Sequence, residues 1–548
     1  MKLRHLFLLL LVHCSLLQAQ VPIWSWSAAF GGYHYDVGSG IAFDPNQFVV
    51  NCGYYYDDTI TIGNHVLLNK GANDYYVAKY DLAGNVIWAA HEGGHGNDYA
   101  ISDAVDANGN IYVTGYFDSD TLVIGSDTLF NASSGYADMF VAKYNSSGIP
   151  QWAKRFGNTD WDIAQAVSVD MTSGNIYIAG CYYGNPITIG TTTLANNGMY
   201  DIALFKMDPS GNVLWAVGSG GSMNDMGNAV VADHSGNVII SGGFASSSIP
   251  FPFGILNNAG PGYPDIFAAK FDANGNEIWA KRAGDTDNDH SVAVTVDNSD
   301  NVYVGGHYHS TSFPFASGTL TNNGMGDVFL LKYDQAGNEL WGRGEGGMMH
   351  DFGFAVTVDN QNHPFISGMF MSDTLQFGSN MLINHSSNED MFLFEYDQSG
   401  NRMLGMSYGA AGDDEMTAIV SDPFGGIYAT GDWRSNSITL GANTFFNNDS
   451  TVGYADVFNG KIDLILGQQE LQENSSSFSV LPNPSNGELR MENAPDHSTV
   501  KVFNAEGELV FEKDNVTKNE ALDLRELSSG IYFLRLNNSE SLKFMISK

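Results

Sequence analysis

A tryptophan that returns every 62 to 64 residues is the feature that most restricts how this chain can fold. An aspartate follows each tryptophan ten residues later, and a second aspartate comes eight residues after the first. A fixed period of this length means that one supersecondary unit is repeated and that neighbouring units bury each other's faces. The tryptophans are Trp26, Trp88, Trp152, Trp215, Trp279 and Trp341, and Leu404 continues the series.

Both aspartate columns have seven members, which predicts seven copies of the unit. The first column is Asp36, Asp98, Asp162, Asp225, Asp289, Asp351 and Asp414. The second column is Asp44, Asp106, Asp170, Asp233, Asp297, Asp359 and Asp422.

Each unit is predicted to contain four β-strands and an inserted hairpin. Segments such as "DMFVAKY" (138–144) and "NIYIAG" (175–180) alternate aromatic or β-branched residues with smaller or polar ones, as strands do. Pentads such as "DPSGN" (208–212) and "DANGN" (272–276) are typical of tight turns, because Asp caps the turn and Gly accepts positive φ. No amphipathic helix of useful length is present, so the predicted fold class is all-β.

The order of the strands predicts how the repeat array ends. The tryptophan-bearing strand "WSWSAAF" (24–30) comes before any complete unit, and no such strand follows "DVFNGKID" (456–463). We therefore expect residues 21–463 to form a seven-bladed β-propeller whose last blade is completed by the N-terminal strand, which protects the sheet edges. Small residues four places after the first aspartates are expected near the axis: Gly40, Ser102, Ala166, Ala229, Ala293, Ala355 and Ala418.

The elements "GNIYVTG" (109–115) and "GNIYIAG" (174–180) resemble the SBBP-type β-propeller repeats of exported bacterial proteins. The resemblance covers most of residues 21–463. It implies a propeller and no established activity.

The first twenty residues, "MKLRHLFLLLLVHCSLLQAQ", are predicted to be a secretory signal peptide. The alternative, a lipoprotein signal ending at Cys14, requires a small residue where His13 stands. No later segment is long and apolar enough to predict a membrane span. Removal of the signal leaves Cys52 and Cys181, which are too few for a disulfide framework.

Residues 464–477 are predicted to be a polar linker, and residues 478–548 a small β-sandwich. The segments "LPNPSNGEL" (481–489), "VKVFNAEGELV" (500–510), "LDLRELSSGIYFLRL" (522–536) and "KFMISK" (543–548) resemble the C-terminal sorting domain of the type IX secretion system of Bacteroidetes. The resemblance implies recognition by that machinery, passage through the periplasm and across the outer membrane, and release or attachment at the cell surface. An ordinary adhesive sandwich is the alternative.

The formal net charge is −37, and residues 478–548 contribute only −3 of it, with 11 acidic and 8 basic residues. So negative a repeat region repels nucleic acid and anionic membranes. It is compatible with a solvated surface or with attraction of cations.

The sequence contains no CxxC pair and no P-loop motif. The run "DTDNDH" (285–290) begins like a calcium loop, but His290 stands where Gly is needed and Val296 where a bidentate Glu is needed. We predict no catalytic residue, no metal site and no cofactor, with calcium as a possibility left open. His307 and His309 share one side of a predicted strand, and an incidental surface pair is the expected explanation.

The first-aspartate column is the candidate binding site. In a propeller these residues stand in the loops before the innermost strands, on the face that also carries the inserted hairpins. A ring of seven carboxylates there would bind cations or a glycan. The alternative is that each Asp caps its own loop. An aromatic column also recurs, and packing between units is its expected role, with a sugar-stacking ring as the alternative: Tyr55, Phe117, Tyr182, Phe244, Tyr308, Phe370 and Trp433.

The sequence therefore predicts an exported, non-enzymatic propeller that binds a glycan or a protein, carried by a secretion tail. The alternative is an extracellular polysaccharide lyase or glycosidase with its site on the acidic face. An enzyme would require polar residues that are unique to one or two units and lie together on that face.

Overall fold

The computed structural model describes residues 20–447, residues 454–466 and most of the strands between residues 479 and 546. Every regular element in these ranges is a β-strand, so the predicted all-β class is confirmed for the part of the chain that is described. The described residues divide into two compact units, of which the larger ends at residue 465. The predicted signal peptide (1–20, apart from residue 20) and residues 467–477 of the predicted linker lie outside the described residues.

The repeat region folds into seven separate four-stranded antiparallel sheets of one pattern, and none of them is itself closed. The inner strands are Asp36–Asp44, Asp98–Val105, Asp162–Val169, Asp225–Ala232, Asp289–Val296, Asp351–Val358 and Asp414–Ser421. The second strands are Phe48–Tyr55, Ile111–Phe117, Ile176–Tyr183, Val238–Phe244, Val302–Tyr308, Pro364–Phe370 and Gly426–Trp433. The third strands are Asp74–Asp81, Asp138–Tyr144, Tyr200–Met207, Asp265–Phe271, Asp327–Tyr333, Asp390–Tyr396 and Asp456–Leu466. The outer strands of the first six sheets are Val86–Glu92, Pro150–Phe156, Val213–Ser219, Glu277–Ala283, Glu339–Glu345 and Arg402–Tyr408.

The seventh sheet takes its outer strand from the other end of the repeat region. The strand Gln20–Phe30 lies beside Asp456–Leu466, and the inner strands of this sheet follow in the usual order. The Ser25 hydroxyl donates a hydrogen bond to the Lys461 carbonyl at 3.3 Å. Because the third strand continues to Leu466, the predicted domain boundary at residue 463 falls inside a strand.

A two-stranded hairpin is inserted between the second and third strands of every sheet, as the sequence predicts. The seven hairpins are Thr59–Ile62 with His65–Leu68, Thr121–Ile124 with Asp127–Phe130, Ile187–Ile189 with Thr192–Leu194, Ser248–Phe251 with Gly254–Asn257, Ser312–Phe315 with Gly318–Thr321, Thr374–Phe377 with Asn380–Ile383, and Ser437–Leu440 with Asn443–Phe446.

The inner strands pack side by side around a common cavity, called here the axial cavity. Each inner strand contacts that of the next sheet, and the first contacts the seventh. The cavity has a volume of about 480 Å³ and receives residues from all seven inner strands. The small-residue column from Gly40 to Ala418 lies in its wall. A β-bulge in each inner strand directs one more residue into it, because the extra residue is left unpaired.

The tryptophan column joins neighbouring sheets. The indole N–H of Trp215 donates to the Ala273 carbonyl at 3.0 Å, in the turn of the next sheet. Gly275 of that turn has a φ of +82°, and a Cβ there would meet the Trp215 ring at 2.9 Å. The turn glycine is therefore needed both for the left-handed backbone and for the approach of the indole. The same pairing recurs from sheet to sheet, for example between Trp88 and Gly148.

The C-terminal unit contains two antiparallel sheets. The first has the strands Ser479–Leu481, Glu488–Glu492 and Ala521–Asp523. The second has Leu509–Val516, Ser498–Phe503, Gly530–Leu536 and Glu540–Ile546 in this order. Leu489 and Leu522 of the first sheet share a buried cluster with Val500, Val502 and Leu534 of the second. The core therefore lies between the two sheets.

Candidate functional site

The end of the sheets at which the inner strands begin is called here the upper face, and the opposite end the lower face. All seven predicted site residues open an inner strand at the upper face, and all are fully buried. Each carboxylate accepts the backbone N–H of the residue four positions earlier, at 2.5 to 3.0 Å. Five of them also accept a serine hydroxyl from the connection after the second strand. These are the contacts that the capping alternative requires, and the prediction that the column binds a ligand stays a prediction.

Each first-column aspartate lies beside a second buried aspartate, which is the first or second residue of the third strand of the preceding sheet. Burial, with Asp138 nearby, raises the pKa of Asp162 to about 8. Burial likewise raises the pKa of Asp289 to about 7, and Asp265 is its acidic neighbour. The pairs are Asp456 with Asp36, Asp74 with Asp98, Asp138 with Asp162, Asp201 with Asp225, Asp265 with Asp289, Asp327 with Asp351, and Asp390 with Asp414.

A glycine column that the sequence analysis did not identify makes room for these pairs. It stands five residues after the tryptophan column: Gly31, Gly93, Gly157, Gly220, Gly284, Gly346 and Gly409. A Cβ at Gly284 would lie 2.6 Å from Asp265 Oδ1 and 2.9 Å from Asp289 Oδ2. The glycine is needed because both carboxylates occupy the space that a side chain would fill.

At the upper face, the residue directly after each first-column aspartate is not the same in every unit. These residues differ from unit to unit. Their antiparallel partners on the second strand also differ, except that the first and second sheets both have a tyrosine there. The pairs are Val37 with Tyr54, Tyr99 with Tyr116, Ile163 with Cys181, Met226 with Gly243, His290 with His307, Phe352 with Met369, and Glu415 with Asp432.

Partly exposed tyrosines, called here the tyrosine cluster, cover the first three sheets. The rings of Tyr54 and Tyr99 meet edge to face with centroids 4.6 Å apart, and Tyr116 lies 4.9 Å from Tyr99. Tyr183 and Tyr200 form a second pair at 4.9 Å in the third sheet. Burial, with Tyr99 beside it, raises the pKa of Tyr116 to about 12, so the phenols are neutral donors and acceptors.

Polar side chains line the tyrosine cluster. The Asn73 amide donates to the Tyr99 hydroxyl at 3.2 Å and to Asn97 Oδ1 at 2.7 Å. Asn97 in turn donates to the Asp118 carboxylate at 2.8 Å. Aromatic rings edged by amide and carboxylate groups can stack on an apolar sugar face and bond its hydroxyls.

An acidic cluster adjoins the tyrosine cluster in the sixth and seventh sheets. Burial raises the pKa of Asp432 to about 7, against the opposing effect of Arg434. Burial also raises the pKa values of Glu389 and Glu415, and the charge of Glu415 adds to the shift of Glu389 while that of Asp432 adds to the shift of Glu415. Arg434 Nη1 lies 2.9 Å from Asp413 Oδ2 and partly offsets this concentration of negative charge.

Four histidines meet at the fifth and sixth sheets. The ring centroids of His290 and His307 are 5.2 Å apart, and those of His309 and His350 are 5.3 Å apart. Burial, with the other histidines nearby, lowers the pKa of His307 well below its usual value. The "GHYH" segment is thus part of a larger histidine cluster. Across the described ranges, no group of three or more His, Cys, Asp or Glu side chains is placed to hold a metal ion.

The remaining sequence-derived candidates have structural roles. The aromatic column from Tyr55 to Trp433 is at most 1% exposed and therefore packs between sheets. In "DTDNDH", Asp285 accepts the Ser312 hydroxyl at 2.6 Å, and Asp287 accepts the N–H of Asn288 at 2.8 Å. Only Asp289 of the run belongs to the capping column.

At the lower face the second aspartate column has lysine partners. Lys79 Nζ lies 2.6 Å from Asp44 Oδ2, and Lys270 Nζ lies 2.8 Å from Asp233 Oδ2, with all four side chains at most 4% exposed. Burial alone would raise the pKa of Asp233, but Lys270 and Asn237 hold it below its usual value.

Two curated proteins are similar in sequence. An uncharacterized WD repeat-containing protein of Acanthamoeba polyphaga mimivirus is 23% identical over 78% of this chain, which spans 38% of that protein. The regulatory protein FlaEY of Caulobacter vibrioides is 26% identical over 36% of this chain and 19% of its own length. The chain thus matches well under half of either relative.

Comparison with solved structures gives matches in which about a tenth of the aligned residues are identical to this chain. One is PorZ, a bacterial surface component of the type-IX secretion system of Porphyromonas gingivalis, with 10% identity, 94% and 85% coverage of the two chains and a TM-score of 0.29. Another is the Cps50 (Swd1) β-propeller domain of Myceliophteria thermophila, with 10% identity, 81% and 99% coverage and a TM-score of 0.40.

The C-terminal unit has a specific match. Residues 479–547 match the model of the secretion system C-terminal sorting domain, as the tail motifs predict. No helix in the described ranges has the length and hydropathy to cross a bilayer. The chain therefore carries a type IX secretion sorting domain at its C-terminus, and it is secreted across the outer membrane to the cell surface or beyond.

Proposed function

We propose that the repeat region is a seven-bladed β-propeller closed by its N-terminal strand. Three observations support this proposal: the seven four-stranded sheets, the strand Gln20–Phe30 in the seventh sheet, and the axial cavity that all seven inner strands line. Closure of this kind leaves no inner edge open to another chain.

We further propose that the protein is a non-enzymatic binding module of the cell exterior whose ligand is a glycan. The tyrosine cluster carries this proposal, because partly exposed rings beside Asn73, Asn97 and Asp118 offer stacking and hydrogen bonds together. A glycan has an apolar ring face that can stack on the tyrosines and hydroxyl groups that can bond to the amides and the carboxylate. In this proposal the buried first-column aspartates hold the loops of the upper face in place and do not contact the glycan.

A glycan array tests the binding site. The purified protein should retain a subset of glycans, and Tyr99→Ala should weaken that retention about 10-fold or more, the loss typical of a central aromatic contact. Phe424→Ala is the matched control, because Phe424 is 68% exposed in a lower-face turn. Equal loss in both variants, or none in Tyr99→Ala, contradicts the assignment of this face.

The same array tests the enzymatic alternative. Glu389, Glu415 and Asp432 have raised pKa values on the same face, and a polysaccharide lyase or glycosidase needs such groups. We expect retained polysaccharide to be recovered with its chain length unchanged. Shortened chains or new reducing ends contradict the non-enzymatic proposal.

The export route is proposed to run from a cleaved N-terminal signal through the periplasm to the type IX machinery, which the C-terminal unit contacts. Deletion of residues 478–548 should leave the repeat region folded in the periplasm, since its core is separate from that of the tail. Normal export of this truncated protein contradicts the route.

A further inference from the structure

An apolar cavity, called here the side cavity, lies between the third and fourth sheets of the repeat region. Its volume is about 290 Å³, and its lining includes the hairpin residues Pro250 and Phe251. Ile202, Leu204 and Phe267 form its floor and are at most 3% exposed, whereas Pro250 at its rim is exposed. An apolar interior with an exposed rim is the usual form of a small-molecule site in proteins.

The side cavity exists because one position that is bulky in most units is small here. The residue four places after the tryptophan column faces the next sheet, and in the third sheet it is Ser219, which lines the cavity. Three units place an aromatic ring there, two a glutamate and one an alanine: Phe30, Phe156, Tyr408, Glu92, Glu345 and Ala283. The interface of the third and fourth sheets therefore lacks a ring that three other interfaces contain.

Two interfaces without such a ring show what else can take its place. In the fourth sheet, where the position is alanine, the hairpin residue Phe313 of the next unit packs into the interface, and its equivalent beside the side cavity is Ile249. In the fifth sheet, Glu345 accepts the hydroxyl of Tyr396 at 3.1 Å, and the residue equivalent to Tyr396 is Phe271, which has no hydroxyl. Neither replacement is available at the side cavity.

The equivalent interfaces indicate which chemical group fits the side cavity. The rings of Phe30 and Tyr76 meet edge to face with centroids 5.3 Å apart. Phe267 is the fourth-sheet equivalent of Tyr76 and lines the cavity, so a ring held there can make the same contact. At one end of the cavity the Ser219 hydroxyl donates to the Pro250 carbonyl at 2.6 Å. A polar substituent on the ring would therefore have a polar neighbour.

We propose that the side cavity binds a small aromatic compound, a single ring that carries a hydroxyl or a comparable polar group. A cavity of about 150 Å³ lined by leucine, isoleucine and phenylalanine takes up benzene, so the larger side cavity has room for a substituted ring. The compound supplies from solution the ring that Phe30 and Phe156 supply from the chain. The side cavity shares no lining residue with the tyrosine cluster, so this site is separate from the proposed glycan site.

Calorimetric titration of the purified protein with p-cresol tests the proposal, and the binding should be saturable. The matched probe is 4-methylcyclohexanol, which has the same heavy atoms but no π system. It should bind about 2-fold more weakly or worse, because it cannot make aromatic contacts with Phe267 and Phe271. Absence of saturable p-cresol binding overturns the proposal, and so does equal affinity for the two probes.

Two variants close the side cavity. Ser219→Phe places there the ring that Phe156 provides in the second sheet, so it should raise the Tm by about 1 °C or more and abolish p-cresol binding. Val217→Lys restores the long side chain that Lys154 and Lys281 carry at this position, and it should also abolish binding. It covers the case in which Ser219→Phe does not fold. Unchanged p-cresol affinity in either folded variant overturns the proposal.

Ala283→Phe is the matched control for the change in stability. Phe313 and Phe329 already fill the corresponding space of the next interface, with ring centroids 4.9 Å apart. The added ring should therefore lower the Tm, since overpacking strains a filled core, and p-cresol binding should be retained. A Tm raised equally by Ala283→Phe and Ser219→Phe overturns the assignment of the cavity to the interface of the third and fourth sheets.

Discussion

Both faces of the repeat region bury aspartates, but the charges beside these aspartates differ between the upper and the lower face. At the lower face each buried second-column aspartate receives turn N–H groups, and in several units it also receives a lysine, as with Asp233 and Lys270. At the upper face a buried first-column aspartate receives N–H groups and has a second carboxylate as its neighbour, as with Asp162 and Asp138. Burial of a carboxylate therefore does not determine its charge, since the partner does.

The largest expected effect comes from breaking a lower-face ion pair. Lys270→Met leaves the fully buried Asp233 carboxylate without its counter-ion and should lower the free energy of unfolding by about 3–5 kcal/mol. Urea unfolding followed by tryptophan fluorescence measures the change. Lys70→Met is the matched control, because Lys70 is 43% exposed in its pair with Glu92 and should cost less than about 1 kcal/mol. Equal losses would mean that burial does not separate the two pairs.

The next effect comes from filling the space beside an upper-face carboxylate pair. A Cβ at Gly346 would overlap the Asp327 carboxylate, so Gly346→Ala should destabilise the protein by about 1–3 kcal/mol. Gly254→Ala is the control, because nothing lies within 4 Å of its Cβ position. Its expected change in unfolding free energy is within about 0.5 kcal/mol of zero. A neutral Gly346→Ala would show that the carboxylates can move apart.

The pH dependence of stability should separate the two faces. Burial raises the pKa values of Asp36 and Asp162 to about 8, from an unfolded value of 3.8. Their favourable contribution is complete below the unfolded value and is lost as the pH rises through about 8. The aspartates in the lower-face turns between the third and outer strands behave oppositely. In one of them the Asn276 amide holds the pKa of Asp272 below its usual value, so the contribution of Asp272 to stability is lost in acid. The Tm should therefore be highest at mildly acidic pH and fall towards alkaline pH.

The smallest effect is expected from removing one upper-face charge. Asp162→Asn keeps an acceptor for the Asn158 N–H and cannot ionise, so the Tm should fall less steeply between neutral and alkaline pH than in the wild type. The calorimetric profiles of both proteins should coincide in acid. An alkaline slope unchanged by the substitution would mean that Asp162 is already protected by a partner or a bound cation.

Local patterns in the sequence predict the sheets well. The segment "DMFVAKY" coincides with the strand Asp138–Tyr144, and the pentad "DPSGN" forms the turn before the strand Val213–Ser219. These features depend on alternation and on turn residues within a few positions of each other, which a single sequence displays directly. The repeat multiplies the signal, because each unit offers the same pattern again.

The candidate site was less predictable, for two physical reasons. An aspartate that caps a loop and one that binds a ligand have the same identity and the same position in the repeat. The sequence therefore leaves both roles open and does not reveal that Asp36 is fully buried. The tyrosine cluster could not be predicted from residues that recur, because the position after each first-column aspartate differs between units: it is Val37 in the first, Tyr99 in the second and Glu415 in the seventh. The variation between units at the position directly after each first-column aspartate is the sequence signal that points to this face.

The pairing of Gln20–Phe30 with Asp456–Leu466 means that the seventh sheet can form only after the whole repeat region has been synthesised. Ser25 and the Lys461 carbonyl that it contacts are separated by 436 positions, so one partner leaves the ribosome long before the other exists. Loop-closure entropy makes such a distant encounter slow, and the seventh sheet stays incomplete until it occurs. A nascent or truncated molecule therefore presents an unpaired strand edge, which proteases and chaperones can recognise. A complete repeat region therefore differs from an incomplete one in having this strand edge paired.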